Sequence, residues 1–400
     1  MSIIANDFRL EEHQDHVELS CALQGDGFPP RLIFRLPVEN ADAVDLEQPN
    51  WAAMSLYWQA MMMGHDLVIE GDMSPLLLHS MRGDLMALMR NYEPMLKDIQ
   101  IDAGLSTSPV PEGPRDVMTG FSGGVDSFAT FLLYTRPEVP PSLQLTALAV
   151  YQVGALGPTA AGPGVLEPAV EHARAHADNH GLKQYSLWAN MDEVYAPAGR
   201  FGPIDFRRTV GLRNAAAALV FQNGVGTYLP SGSVAYNAAT YGPYTCTENM
   251  DPVFQPLLAT EKLRVLPAGA GYSRREKVRL LADDPQAQKL LNVCVMGAVM
   301  RRASMTINCS TCWKCIQTMM VLDAWGKLEN FGAVFDVEHY RNNRKQLLQN
   351  LADRAYGHNM LGIIDEIVYV REMGIPIPKP RGPFEQKLRG VAKRALLKGA

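Results

Sequence analysis

Four hundred residues, 47% hydrophobic and 20% charged, describe a globular chain of two or three domains with ample material for a large core. A net charge of −5 argues against a generally basic nucleic-acid-binding surface, and no apolar run is long enough to cross a bilayer. Residues 1–7 lack the basic start and apolar stretch of a signal peptide, so the cytoplasm is the expected compartment and no membrane partner is expected.

Residues 1–112 read as a small N-terminal α+β domain without a catalytic cluster. Segments 16–21 and 31–36 alternate like half-buried strands, 51–63 and 80–93 carry helical patterning, and 66–70 reads as a strand between them. Residues 102–114, rich in Gly, Ser, Thr and Pro, read as a linker. From Arg115 the pattern changes to strands (117–121, 145–152, 184–188, 225–229, 263–266) alternating with helices (127–134, 166–179, 209–222, 274–282). This predicts an α/β fold over 113–290, a parallel five-stranded, Rossmann-like sheet with helices on both faces. Ligands in such sheets bind beyond the carboxyl ends of the strands. A cysteine-rich segment follows (291–335), then a C-terminal helical region (336–400). The latter holds a helix at 337–356, a stiff proline-rich stretch at 375–383, and a basic amphipathic helix at 384–397 carrying Lys387, Arg389, Lys393 and Arg394.

The run Ser122-Gly123-Gly124-Val125-Asp126-Ser127 joins the first parallel strand to the first helix. Gly123 and Gly124 allow a sharp turn that aims backbone N–H groups at one spot, and the helix N-terminus adds about half a positive charge there. Ser122 and Ser127 supply hydroxyls and Asp126 a carboxylate, so an anion-binding loop is expected. It is not a Walker A loop, which needs a lysine after its second glycine. A carboxylate beside phosphates makes sense with Mg²⁺ between them.

Three of the six cysteines form Cys309-x-x-Cys312-x-x-Cys315, with Cys294 upstream. Such clustering in a chain of this kind points to metal rather than disulfides. Four thiolates describe a closed structural zinc site, and a [4Fe–4S] cluster is the alternative.

Taken together, the S-G-G-x-D-S loop after a strand and the downstream Cys…Cys-x-x-Cys-x-x-Cys pattern resemble the PP-loop N-type ATP pyrophosphatases. Within these the chain is most similar to the 7-cyano-7-deazaguanine synthases and their relatives, over residues 115–331. The resemblance implies an adenine nucleotide alpha hydrolase-like fold with ATP, Mg²⁺ and Zn²⁺ as cofactors. ATP would be held by Ser122, Gly123, Gly124, Val125, Asp126, Ser127, Arg213 and Asn214, and zinc by Cys294, Cys309, Cys312 and Cys315. It also matches Gly232-Ser233 to a family loop after the fourth strand, the stretch from Tyr241 to Cys246 to a substrate-contacting loop, and Ser273-Arg274-Arg275-Glu276-Lys277-Val278 to the segment that opens the helix leading to the zinc site. The chain departs from the family in its longer gap between Cys294 and Cys309, in Ala238-Ala239-Thr240-Tyr241 where acidic residues are expected, and in residues 1–112.

The implied chemistry is an AMP-forming, C–N bond-forming ligase: a small substrate's carboxylate or amide oxygen is adenylated, then attacked by ammonia or another nitrogen donor. Asp126 and Ser127 are the candidate catalytic residues, with Cys246 as the nucleophile of a rival sulfur-transfer reading in which tRNA is the partner. A third reading is a zinc-stabilised nucleotide-binding scaffold without turnover. Met1-Ser2 offers no N-terminal nucleophile for an internal glutaminase, and a homodimer is compatible with each reading. His172, His176 and His180 share a helical face that reads as solvated.

Overall fold

In a computed structural model, the structure describes residues 1–106, 109–200, 206–243, 246–295 and 306–382. The basic helix expected at 384–397 lies outside the described residues. The chain forms two compact units, Met1–Ser122 with Thr130–Tyr272, and Gly123–Ala129 with the segment from Ser273 onward.

The first unit is built on one mixed sheet of ten strands. In chain order these are β1 (Ser2–Glu12), β2 (Val17–Gln24), β3 (Arg31–Leu36), β4 (Asp66–Met73), β5 (Ile101–Leu105), β6 (Asp116–Gly120), β7 (Ala147–Gln152), β8 (Lys183–Ala189), β9 (Val225–Tyr228) and β10 (Arg264–Val265). They lie in the order β10-β9-β6-β7-β8-β3-β2-β1-β4-β5. The expectation of a five-stranded parallel sheet is therefore corrected. The five expected strands are present and mutually parallel as β6 to β10, but they form one half of a larger sheet.

Edge chemistry explains the difference. An exposed edge on β8 would leave a row of unpaired backbone groups, and β3 covers it antiparallel, with Phe34 opposite Ala189 and Arg35 opposite Trp188. Two asparagine side chains prolong the ladder where backbone pairing stops. Asn190 accepts from Ile33 N (2.9 Å) and donates to Arg31 O (3.0 Å), while Asn40 donates to Gln184 O (3.1 Å) and accepts from Ser186 N (3.2 Å). Residues 1–36 thus complete the sheet instead of forming one of their own.

Helix Asn50–Met63 is buried at every position, as its all-round apolar sequence demands, and packs on helix Phe206–Val220. It ends at Gly64, whose φ of 69° is left-handed. The helix expected over 80–93 is broken at Gly83 into Pro75–Arg82 and Asp84–Tyr92. Part of the expected linker is strand β5, anchored by buried Ile101. A buried ion pair, Lys262 Nζ to Asp45 Oδ2 at 2.8 Å, ties the N-terminal region to the approach of β10.

The second unit is helical. Helix Arg274–Leu281 starts at a capping box formed by Ser273 and Glu276. Helices Trp313–Ala324, Val337–Gly357 and Leu361–Glu372 pack on one another, the last of them unexpected from sequence. Residues 375–382 follow without regular structure. Among the described residues, no helix is long and apolar enough to cross a membrane.

Candidate functional site

In the parallel half the chain runs from β6 through β7 to β8, then returns to the other side of β6 for β9 and β10. The strand order therefore reverses between β6 and β9, the position where sheets of this kind open a ligand crevice. The chain leaves β6 through Phe121, whose N–H donates to Ala149 O at 2.7 Å, and enters the glycine loop.

Gly123 has φ 73°, a left-handed conformation that favours glycine. Its carbonyl accepts from Asn292 N at 2.7 Å, which fixes the bend. Helix Val125–Tyr134 then begins, with Asp126 in its first turn. Ser122 is exposed, Gly124 half-buried and Val125 buried. The Ser127 hydroxyl is buried and donates to Gly124 O at 3.1 Å, so it braces the turn.

Asp126 faces two cations. Arg274 Nη1 reaches Oδ2 and Lys277 Nζ reaches Oδ1, each at 3.1 Å. Arg274 and Lys277 stand three residues apart, on one face at the start of their capped helix. The Lys277 side chain is 1% exposed. Two positive side chains thus face the Asp126 carboxylate beside a helix N-terminus, an arrangement suited to an anion. Neither cation follows from the loop motif. The available signal was Ser-Arg-Arg-Glu-Lys itself, a capping box carrying basic residues at i and i+3.

Arg213 lies in the middle of helix Phe206–Val220 and is buried. It donates to Val153 O (2.9 Å) and Thr209 Oγ1 (3.0 Å), pairs with Asp192 (2.8 Å), and its guanidinium lies 4.0 Å from the Tyr195 ring centroid. Its Nε and Nη1 donors thus serve the protein. Gly154 makes room for it: at φ 119°, a Cβ there would come within 2.8 Å of Arg213 Nη1. Asn214, next along the helix, is half-buried.

Cys246 is partly buried, and its thiol donates to Glu248 Oε2 at 3.0 Å. Burial, followed by the Glu248 carboxylate, pushes the thiol well above its ordinary range and holds it protonated. A thiolate nucleophile requires the opposite environment. The expected solvated histidine face holds only in part: His180 is exposed and His172 half-buried. His176 is fully buried, stacked on Phe121 at 4.7 Å and edge-on to Phe131 at 4.4 Å, and burial pulls it down to about 4. A cleft of about 330 Å³ opens among Tyr134, Arg136, Tyr236 and Tyr272.

The second unit brings Cys294, Cys309, Cys312 and Cys315 together, all buried, with the four sulfurs within 4.8 Å of one another. Cys312 Sγ lies 3.4 Å and Cys309 Sγ 3.9 Å from Cys315 Sγ. No disulfide joins them. The Cys312 thiol is pulled down to about 5, chiefly by its hydrogen bond with Cys315, and Cys315 is pushed up in turn. This buried four-cysteine cluster could bind a metal such as zinc.

Asn308, fully buried, organises it. Its Oδ1 accepts from Val293 N (2.8 Å) and Cys294 N (3.1 Å), while its Nδ2 donates to Leu291 O (2.7 Å) and Val334 O (3.0 Å). Cys294 is thereby clamped to the Cys309 turn, where Ser310 adopts a left-handed φ of 56° and receives Asp336 N on its hydroxyl. A mid-loop asparagine gave no sequence signal of this role. No family model, curated protein or solved structure matches this chain.

Proposed function

We propose that this chain is an ATP-dependent, AMP- and pyrophosphate-forming enzyme of the PP-loop pyrophosphatase type. In this reading β6 to β10 serve as the adenine nucleotide alpha hydrolase-like half, and the chemistry is that of a cytoplasmic C–N bond-forming ligase. The observation that supports it most is the conjunction at one loop. A left-handed Gly123 precedes a helix N-terminus, and Asp126, Arg274 and Lys277 converge on that helix's first turn.

The β and γ phosphates of ATP would lie against the loop, with Arg274 and Lys277 as charge-assisted donors. As placed, Asp126 does not fit a direct Mg²⁺ ligand, because each of its oxygens already faces a cation. Its role in this reading is to align those cations. Mg²⁺ carried by the nucleotide's own phosphates would offset charge on the departing pyrophosphate. A carboxylate or amide oxygen of the acceptor attacks the α-phosphorus as the bond to the bridging oxygen breaks, releasing pyrophosphate. Ammonia or a related nitrogen nucleophile then forms the C–N bond, and AMP leaves with the C–O electron pair. Loop donors aimed at the leaving group and in-line placement supply the acceleration.

Zinc is the metal proposed for the cysteine cluster. Zn–S bonds of about 2.3 Å set the edge of a ZnS₄ tetrahedron at roughly 3.8 Å. The 3.4 and 3.9 Å separations bracket that edge. Thiolates on separate irons of a cubane point outward from different metals and stand much farther apart. With four thiolates and no open position, the ion would be structural.

The protonated, carboxylate-bound Cys246 weighs against the sulfur-transfer reading. α-Labelled ATP with ammonia and a panel of candidate acids tests the proposal. AMP is the expected labelled product, and it persists in Cys246→Ser. ADP as the sole product would overturn it, and loss of AMP in Cys246→Ser alone would favour sulfur transfer.

A further inference from the structure

At the far end of the β1–β2 hairpin, remote in sequence from the glycine loop and the cysteines, three side chains with metal-binding chemistry meet. His13 and His16 flank a two-residue turn, closed by His13 N donating to His16 O at 2.8 Å. They are opposite one another across the hairpin and project to the same face. Their rings stack at 4.5 Å with an interplanar angle of 15°. The next pair on that face is Glu11 opposite Glu18. One ligand atom each from His13, His16 and Glu18 lies within 4.8 Å of the others.

We propose that this hairpin tip is a second metal site, independent of the cysteine cluster, for a borderline divalent transition ion such as Zn²⁺, Co²⁺ or Ni²⁺. Two imidazoles and one carboxylate form the donor set that such ions favour over Mg²⁺ or Ca²⁺. Two further contacts act as an outer shell. The Asp15 carboxylate lies 2.8 Å from His16 Nδ1, which selects the tautomer that leaves Nε2 as the ligand. Arg35 Nε donates to Glu18 Oε2 at 3.0 Å, which orients that carboxylate and leaves Oε1 for the metal. The surrounding charge favours a cation: Glu11, Glu12, Asp15 and Glu18 outnumber Arg9 and Arg35 at this end of the hairpin. Because only three protein ligands converge, positions remain for water or a small ligand.

Titration of the full-length protein with Co²⁺ separates the two sites by spectrum. Thiolate ligation gives intense sulfur-to-metal charge-transfer bands, whereas imidazole and carboxylate ligation gives only weak d–d bands. The expected result is one ion with thiolate character and a second without it. His13→Ala/His16→Ala should lose the second ion and keep the first, with unchanged circular dichroism. Asp15→Asn should retain the second site with affinity lowered by about 10- to 100-fold, the usual effect of losing an outer-shell carboxylate. Absence of a non-thiolate ion in the wild-type protein, or its persistence in the double variant, would overturn the proposal. An Asp15→Asn affinity equal to wild type would remove Asp15 from the assigned site. Failure of the thiolate bands alone would count against the cysteine site and leave this one standing.

Discussion

Lys262→Met removes the ammonium that Asp45 faces at 2.8 Å, where the two side chains are 2% and 0% exposed. At an effective dielectric of about 20, that separation corresponds to roughly 6 kcal/mol of direct attraction. The net loss is smaller, because Asp45 keeps three other donors: Gln222 Nε2 at 2.8 Å and the backbone N–H groups of Glu47 and Gln48 at 3.0 and 3.2 Å. Breaking a buried pair costs about 3–5 kcal/mol, and the retained hydrogen bonds place this case near about 3 kcal/mol. At roughly 2–4 °C per kcal/mol, the melting temperature should fall by about 6–12 °C. The penalty belongs to an uncompensated charge, so Asp45→Asn on the Lys262→Met background should recover more than half of it. Thermal unfolding followed by near-UV circular dichroism measures both effects. A single variant within about 1 kcal/mol of wild type, or a double variant no more stable than the single, would refute the reasoning.

Two further substitutions probe the second unit. Lys277→Met leaves Asp126 with Arg274 alone, and under the proposed function AMP formation should fall by about 10²- to 10³-fold, the cost typical of losing one preorganised donor. Activity within about threefold of wild type, in a folded variant, would remove Lys277 from the nucleotide site. Burial pushes the Glu366 carboxyl up to about 7, while Arg274 and the Gln317 side chain that donates to it at 2.7 Å pull the other way. Between its ordinary 4.5 and about 7 the folded state holds a proton that the unfolded chain has lost, so stability falls as pH rises through that window. At about 1.36 kcal/mol per pH unit, the total is roughly 3 kcal/mol. Glu366→Gln should flatten the melting-temperature profile between pH 5 and 8, and an unchanged slope would show that another group sets it.

What could be read from the sequence was what depends on neighbours along the chain. The strands β6 to β10 follow from short apolar runs, the bend at Gly123 from a glycine pair after a strand, and the sulfur cluster from Cys-x-x-Cys spacing, because each is decided within a few residues. The cations at Asp126 come from positions 148 and 151 residues away, and nothing local in the loop specifies them. The β3–β8 joint is likewise a long-range event, and Asn190 meets Ile33 across 157 residues. Alternation in β3 identifies a strand but cannot say which edge it will cover. Arg213 shows how long-range contacts also engage an expected site residue. An arginine in an Arg-Asn pair reads equally as a nucleotide contact or a surface residue, yet Asp192 and the Tyr195 ring of one short helix and the Val153 carbonyl after β7 engage it. The same logic gives residues 1–112 a physical role that the sequence withheld. Without them β8 would expose its edge and Lys262 would lose its counterion, so the parallel half that carries the glycine loop depends for its stability on strands that carry no chemistry of that loop.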